Sequence, residues 1–189
     1  MRVGLLPAPW YEAAPTAELL EACEVLSDNV WRESAVEFYA VRAARLRNGR
    51  SAPKGMQGQL NKVIQSRLEG AGWIGSDGRY VKNGTWIRVT FRHQMSLGSD
   101  LIDAAKVCAK EGCSQAAILA GESQWLRTVS PNDHAALVSF EKLRIAVAEL
   151  QGVLDLPLFI GALRGQSILP EGIAVELKRA RPRDTTTPA

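Results

Sequence analysis

Two almost wholly apolar segments constrain the fold of this chain more than any other feature of its sequence. They are QAAILAG at residues 115–121 and LPLFIGAL at residues 156–163, and a helical pattern over about residues 132–150 lies between them. Strands with no charged residue on either face are typical of a sheet that helices cover on both sides. The sequence therefore predicts an α/β fold with a mixed β-sheet flanked by helices.

Periodicity and turn residues predict the other elements. Helical spacing of apolar residues runs up to Gly72, and the alternation typical of strands begins at Trp73. The loop at residues 47–58, with its basic side chains, is the most plausible mobile arm. The predicted helices are 17–28, 30–46, 57–69 and 100–112, with Ser99 as the N-cap of the last, and the predicted strands are 73–74, 79–82 and 85–91.

Length and composition indicate one globular domain. The chain has 189 residues, of which 46% are hydrophobic and 23% are charged, as in ordinary folded proteins. We expect a single domain over residues 1–178, with a helical part at 16–70, an α/β core at 72–165 and a disordered Pro/Thr/Arg-rich tail at 179–189. No apolar run approaches the ~20 residues of a membrane helix, and the N-terminus is too short and Pro-rich for a secretory signal. A cytoplasmic location is expected.

The sequence lacks the motifs of several kinds of functional site. Its 3 cysteines and 2 histidines form no paired ligand pattern, so no structural zinc site is expected. The chain also has no phosphate loop, dinucleotide-binding fingerprint or nucleophile elbow. These absences weigh against nucleotide-binding and hydrolase functions.

Basic residues are concentrated in the middle of the chain. The net charge is only +3, but the many basic residues from Arg42 to Arg92 are accompanied by just two acids, Glu69 and Asp77. Such a segment can bind phosphates by releasing counterions. The alternative is a solvated basic surface.

The predicted strand TWIRVTF at residues 85–91 carries polar and apolar residues on opposite faces. Ile87 and Val89 point to one side of the sheet, while Arg88 and Thr90 point to the other, two positions apart. Two residues at i and i+2 on a strand face the same site. Arg88 and Thr90 are therefore candidates for a shared function.

The order of elements between Gln57 and Leu163 resembles the PD-(D/E)XK nucleases, in particular type II restriction endonucleases of the BglII and BstYI kind. The resemblance rests on a helix that leads into GW, here LEGAGW at 68–73, on an Asp in the next hairpin, here Asp77, and on a strand of the form V-x-V-E-V-Q-F, here residues 85–91. An apolar strand, a long helix and a strand that begins with Pro follow in the same order. The resemblance implies a restriction-endonuclease-like fold.

The same resemblance identifies Asp77, Arg88 and Thr90 as the catalytic positions, with Asp77 as a metal ligand. The family has Glu and Gln where this sequence has Arg88 and Thr90. Mg²⁺ prefers oxygen ligands, whereas an arginine is a fixed positive charge that repels a divalent cation. The resemblance therefore implies a DNA-binding protein whose metal site is degraded.

Two other functions stay open. A protein-interaction subunit or regulator would keep the same fold and use its face for a partner. An active Mg²⁺-dependent endonuclease would need its second acid from another element. The candidates for that acid are Asp100, Asp103, Glu33, Glu37 and Glu122. Two residues also have simpler interpretations: Asp77 as a turn former and Arg88 as an exposed strand residue in an ion pair.

The resemblance further implies binding to double-stranded DNA as a homodimer. RHQ at residues 92–94 suits contacts with phosphates or base edges, although a polar loop before a helix is the alternative. Trp86 shares the face of Arg88, which makes it the tryptophan most suited to stack on a base. The predicted DNA-contacting residues are Arg47, Arg50, Lys54, Lys62, Arg79, Lys82, Arg92, His93 and Gln94.

Overall fold

The computed structural model describes residues 1–27 and 29–165, which contain one six-stranded sheet and six α-helices. The strands are β1 (Arg2–Pro7), β2 (Ile74–Ser76), β3 (Arg79–Lys82), β4 (Thr85–Thr90), β5 (Gln115–Gly121) and β6 (Leu158–Arg164). The helices are α1 (Ala17–Ser27), α2 (Val30–Arg47), α3 (Gln57–Gly70), α4 (Leu97–Lys110), α5 (Ser123–Val129) and α6 (Phe140–Glu149). Short 3₁₀ helices cover Gln94–Ser96 and His134–Ala136.

The sheet is mixed, as the apolar strands predict. Its strand order is β1-β6-β5-β4-β3-β2. The three central strands β4, β5 and β6 are parallel, and β1 and the β2–β3–β4 meander extend the sheet by antiparallel pairing. All seven residues of β5 are buried. Burial on both faces is the reason that this strand has no polar alternation.

Alternation along β4 directs its side chains into two separate cores. Ile87 and Val89 contact the core that α1, α2, α3 and α5 build on one face of the sheet. Trp86 contacts the other core, beneath α4 and α6. The predicted orientation of this strand is therefore confirmed, and the face that carries Arg88 is the face covered by α4.

A tight turn sets the register between β3 and β4. Asn83 and Gly84 both have positive φ angles, 44° and 74°, which is the requirement of the type I′ turn that Asn-Gly favours. The turn pairs Lys82 with Thr85 and, three steps along, Arg79 with Arg88. Two arginines consequently lie opposite each other on neighbouring strands.

The long helix predicted over residues 132–150 is wrong. Leu137 is extended and pairs with His93, and the main-chain nitrogen of Val138 donates to the carbonyl oxygen of Arg92 at 2.8 Å. Helix α6 begins only after Ser139, whose side chain accepts a hydrogen bond from the nitrogen of Lys142. The apolar residues keep helical spacing through this region. Pairing of Leu137 and Val138 with the segment after β4 nevertheless gives these two residues an extended backbone conformation.

Two further elements were not predicted, and one helix begins earlier than predicted. Residues 2–7 form the edge strand β1, although the Pro-rich start of the chain predicted no element, and residues 123–129 form α5 rather than a loop. Helix α4 begins at Leu97 and not after Ser99. The remaining helices and strands match their predictions within a few residues. The predicted tail at 179–189 lies outside the described residues, as does the end of the predicted domain from residue 166 onwards.

Within the described ranges, none of the helices combines the length and the apolar character that crossing a bilayer requires.

Candidate functional site

The carboxyl ends of the parallel strands β4, β5 and β6 lie side by side at one end of the sheet, where β3 begins. We call this the carboxyl edge: the residues that follow these three strands, together with residues 77–79 at the start of β3. In open α/β sheets, ligands bind outside the carboxyl ends of the strands, because side chains from several loops converge there. Most of the predicted site residues lie at this edge.

The turn before β3 brings Asp77 to the end of β4. Asp77 has a positive φ of 50°, and Gly78 follows with 79°. The nitrogen of Val89 donates to the carbonyl oxygen of Gly78 at 2.7 Å, and a Cβ atom on Gly78 would lie 2.3 Å from the carbonyl oxygen of Val89. Only glycine permits this close approach. The backbone of Asp77 therefore has the turn conformation that its simpler interpretation, as a turn former, predicts.

Asp77 contacts Arg88 through its main chain. Its carbonyl oxygen accepts a hydrogen bond from Nη1 of Arg88 at 2.6 Å. The residue itself is exposed. The predicted ligand and the predicted arginine are therefore in direct contact, but the acid group takes no part in that contact.

Three arginines share two aspartates beside this turn. Arg88 Nε lies 3.1 Å from Oδ1 of Asp100, and Arg92 Nη1 lies 3.0 Å from the same oxygen. Arg79 Nη2 lies 2.5 Å from Oδ2 of Asp103. Both aspartates come from α4, where a spacing of three residues places them on one face. We refer to these five residues as the arginine–aspartate network.

Arg88 is the buried centre of the network. It is 2% exposed and Asp100 is 0% exposed, so Arg88 is in an ion pair, as one interpretation predicted, but is not exposed. Burial lowers the pKa of Arg88, and the carboxylate of Asp100 opposes that shift by favouring the charged form. A guanidinium keeps its proton at neutral pH. The network therefore holds a permanent positive charge inside the protein.

Thr90 is buried at the end of β4, on the same face as Arg88. Its Oγ1 accepts a hydrogen bond from the main-chain nitrogen of Arg92 at 3.3 Å. This contact closes the turn after the strand. Thr90 thus supports the position of Arg92 and offers no carboxylate or amide to the site.

The residues at the carboxyl edge do not fit a bound Mg²⁺. Within residues 1–27 and 29–165, no three His, Cys, Asp or Glu side chains come together in a group that could hold a metal ion. Oδ1 of Asp100 is already engaged by Arg88 and Arg92, and its Oδ2, which is buried without a hydrogen-bond partner in the described part of the chain, is a single oxygen rather than a ligand set. Mg²⁺ needs near-octahedral oxygen ligation, and the guanidinium of Arg88 repels a cation at this place.

Three of the other acids proposed as a second ligand also have partners, and the fourth, Glu37, lies away from the carboxyl edge. Glu122 accepts from Nε of Arg164 at 2.6 Å, and Glu33 forms an ion pair with Arg67. Asp103 pairs with Arg79, as described above. Glu37 is exposed on α2, in the helical layer.

The predicted DNA-contacting residues divide into three groups. Arg79, Arg92, His93 and Gln94 are exposed at the carboxyl edge. Lys54 lies in the loop before α3, which reaches the same edge through Gln57, whose Nε2 donates to the carbonyl oxygen of Phe91 at 3.2 Å. The third group lies elsewhere: Arg47, Arg50 and Lys62 are exposed on the helical layer, and Lys82 lies at the opposite end of β3.

Lys82 already has partners of its own. Its Nζ contacts Oε2 of Glu21 at 2.6 Å and donates to the carbonyl oxygen of Ala71 at 2.7 Å. Trp86 is 2% exposed, so the prediction that it can stack on a base is wrong. Its face of β4 is covered by α4.

Two basic residues at the edge have no signal in the sequence. Arg2 and Arg164 lie opposite each other on β1 and β6, and Arg164 pairs with Glu122 just after β5. They stand at the two ends of the described chain. Only the pairing of β1 with β6 brings them together, so composition and spacing alone do not reveal them.

Comparison with known proteins supports the fold. No protein-family model matches the sequence, and no curated protein matches it. The crystal structure of restriction endonuclease BglII complexed with a DNA 16-mer is similar, with a TM-score of 0.53 and 14% identity over 89% of this chain and 79% of that chain. Free BglII has a TM-score of 0.49 and 15% identity over 88% of this chain and 81% of its own. The chain thus has a restriction-endonuclease-like fold.

Proposed function

We propose, with the restriction-endonuclease-like fold as the premise, that this protein binds double-stranded DNA at its carboxyl edge and does not cleave it by metal-dependent hydrolysis. One observation carries the proposal: Arg88, which the sequence resemblance aligns with a metal-binding Glu, is buried and paired with Asp100. The guanidinium takes the place of the cation, and the aspartate neutralises it. Binding needs no metal in such an arrangement.

Charge at the edge supports DNA as the ligand. The network itself has three arginines and only two aspartates, so it carries a net positive charge. The side chains of Arg79 and Arg92 are 50% and 43% exposed. Both can reach a phosphate, and charge-assisted bonds from arginine to phosphate are strong and often bidentate. BglII, which has the same fold, was crystallised with DNA.

The network assigns different roles to its arginines. Arg88 is enclosed and bonded to the carbonyl oxygen of Asp77, so it fixes the turn and the position of α4. Arg79 and Arg92 are held by the same helix but open to solvent. We infer that Arg88 is a positioning residue, whereas Arg79 and Arg92, with His93 and Gln94, contact DNA.

We further propose that the protein acts in the cytoplasm as a homodimer on DNA, as in the family it resembles. An apolar groove of about 470 Å³ between α4 and the segment after α6 offers a surface for a second copy. It is lined by Leu101, Ile102, Ala105, Leu150 and Leu154. A second copy bound there would present two carboxyl edges, and a two-fold dimer reads two half-sites.

The same groove is the specific observation that favours the second candidate, a protein-interaction subunit. Salt distinguishes the two functions. DNA binding through several phosphates weakens steeply as salt rises, whereas burial of apolar surface against a protein responds little.

The test combines a cleavage assay with a binding assay. Purified protein is incubated with plasmid and phage DNA in Mg²⁺ or Mn²⁺, beside an Asp77→Ala variant, and the mobility of a labelled duplex is measured over a range of salt. We expect no fragments and a salt-sensitive shift. Discrete fragments that disappear in Asp77→Ala would establish an active endonuclease instead. No shift at any salt would reject DNA binding and favour a protein partner.

A further inference from the structure

A small cavity lies between the C-terminal half of α2, the loop before α3 and the end of α5. Its volume is about 240 Å³. That is below the usual size of a site for a drug-like molecule, ~300–1,000 Å³, and suits a small ligand group. Among its lining residues are Tyr39, Arg42, Lys54, Gly55 and Thr128.

The charges around the cavity are unbalanced. Arg42 and Lys54 both line it, and its described lining contains no acid. Nε of Arg42 is buried and has no hydrogen-bond partner within the described part of the chain. A buried donor without an acceptor is costly, and two cations that share a cavity repel each other. An anion with several acceptor oxygens would remove both penalties at once.

Tyr39 adds a neutral donor beside the arginine. Burial raises the pKa of its hydroxyl, while the nearby guanidinium of Arg42 acts in the opposite direction. The phenol therefore keeps its proton at neutral pH. Its ring is packed edge-on against Phe38, with centroids 5.3 Å apart. Tyr39 and Arg42 come from consecutive turns of α2, so the helix holds both groups in place.

The end of the loop that carries Lys54 is tied to neighbouring elements at residues 55–57. The nitrogen of Met56 donates to the carbonyl oxygen of Val129 at 2.7 Å. At Gly55, an added Cβ would lie only 2.9 Å from that same oxygen. Gln57 ties the end of the loop to Phe91, the residue before Arg92. The end of the loop thus contacts α5 beside the cavity and the segment that leads into the carboxyl edge.

We propose that this cavity is a phosphate-binding site, with Arg42, Lys54 and Tyr39 as the donors. The proposal rests on the proposed DNA-binding function for the source of the phosphate, which we assign to the DNA backbone beyond the segment held by Arg79 and Arg92. A phosphate has the charge and the acceptor oxygens that the lining lacks. Its contacts give no base specificity and set the position of the duplex.

The test replaces Arg42 and uses a matched arginine on the same helix as the control. Arg42→Gln and Arg45→Gln each remove one positive charge from α2, but Arg45 is exposed and does not line the cavity. Binding of a labelled duplex is measured over a range of salt, and binding of inorganic phosphate is measured by ³¹P NMR. Arg42→Lys, which keeps the charge, and circular dichroism show whether the fold is intact.

We expect Arg42→Gln to lower duplex affinity about tenfold and to reduce the slope of log affinity against log salt by about 1, as for the loss of one phosphate contact. Arg45→Gln should change affinity less than threefold, and Arg42→Lys should restore most of the loss. Wild-type protein should also bind inorganic phosphate weakly, and Arg42→Gln should abolish that binding.

The outcomes separate this proposal from the proposed function. Equal losses in Arg42→Gln and Arg45→Gln would overturn the site, because net charge alone would then explain them. If Arg42→Gln leaves duplex binding unchanged, the phosphate in the cavity does not come from the DNA backbone, although the protein still binds DNA. Phosphate binding that depends on Arg42, in a protein that binds no duplex, would reject the proposed function and identify a site for a free phosphate or a phosphate monoester.

Discussion

The two ends of the β3–β4 hairpin differ in how far their positive charges are neutralised. At the turn end, Lys82 is matched by Glu21 and by the carbonyl oxygen of Ala71. At the carboxyl edge, three arginines of the arginine–aspartate network share two aspartates, and one of these arginines is buried. The same two strands thus carry a balanced ion pair at one end and an excess of cations at the other. In the proposed function, this excess of positive charge within the network attracts the DNA.

The largest expected effect concerns the stability of the buried pair. Asp100→Asn removes the charge that neutralises Arg88 and keeps the shape of the side chain. Breaking a buried ion pair from one side costs ~3–5 kcal/mol, so the free energy of unfolding in urea should fall by about that amount. Glu21→Gln, at the balanced end, breaks a partly exposed pair and should cost at most ~1 kcal/mol.

Similar losses for these two variants would mean that burial of Arg88 contributes little. The comparison between the two ends would then have no energetic basis. Because Asp100 and Glu21 both lie on helices and both become amides, differences in helix propensity do not confuse the result.

The next effect is on DNA affinity at the carboxyl edge. Arg92→Gln removes a cation whose side chain is 43% exposed, and duplex affinity at low salt should fall about tenfold, the equivalent of ~1.4 kcal/mol. Lys82→Gln is the control, since Lys82 is already engaged by Glu21, and it should leave affinity nearly unchanged. A mobility-shift titration measures both. Equal losses of affinity in the two variants would mean that DNA does not bind preferentially at either end of the β3–β4 hairpin.

A smaller effect of opposite sign is expected from Asp103→Asn. This change releases Arg79 from its ion pair and raises the net positive charge of the edge. Duplex affinity should therefore rise, by about two- to fivefold at low salt, with a steeper salt dependence. Lower affinity would show that Asp103 positions Arg79 for DNA rather than competing with it. Fluorescence anisotropy of a labelled duplex has the resolution for this measurement.

The smallest effect is expected at Asp77. Its contact with Arg88 uses the carbonyl oxygen, which Asp77→Ala retains. The positive φ of 50° disfavours alanine, so stability should fall by ~1 kcal/mol, and Asp77→Gly should avoid this loss. Duplex affinity should stay within about twofold of the wild type, with or without Mg²⁺ at matched ionic strength. A tenfold loss that appears only with Mg²⁺ would identify Asp77 as a metal ligand.

The sequence predicted the architecture well where the pattern and the local turn agree. The Asn83-Gly84 turn and the alternation of β4 predict the hairpin, and the apolar segments predict the central strands; the structure confirms all of them. The prediction was wrong for residues 132–150, where Leu137 and Val138 pair with the segment after β4. Nothing in the local sequence of that segment indicates a partner more than 40 residues away.

For the site, the sequence identified Arg88 and Thr90 as neighbours on one face, and the structure places them there. It left the partners undetermined, because a charged residue on a strand is compatible with solvent, with an ion pair or with a ligand. The sequence indicates Asp100 and Asp103 only as alternative metal ligands. Their contacts with arginines depend on how α4 crosses the sheet.

The sequence by itself determined the α/β class, the central strands and the placement of Arg88 and Thr90 on one face of β4, since these depend on residue type and short-range periodicity. Tertiary structure alone decided that Arg88 is buried, that Asp100 neutralises it, and that Arg42 and Lys54 share a cavity. These are distances between residues far apart in the chain. Their energies come from burial and from charges that approach each other only when the helices cover the sheet.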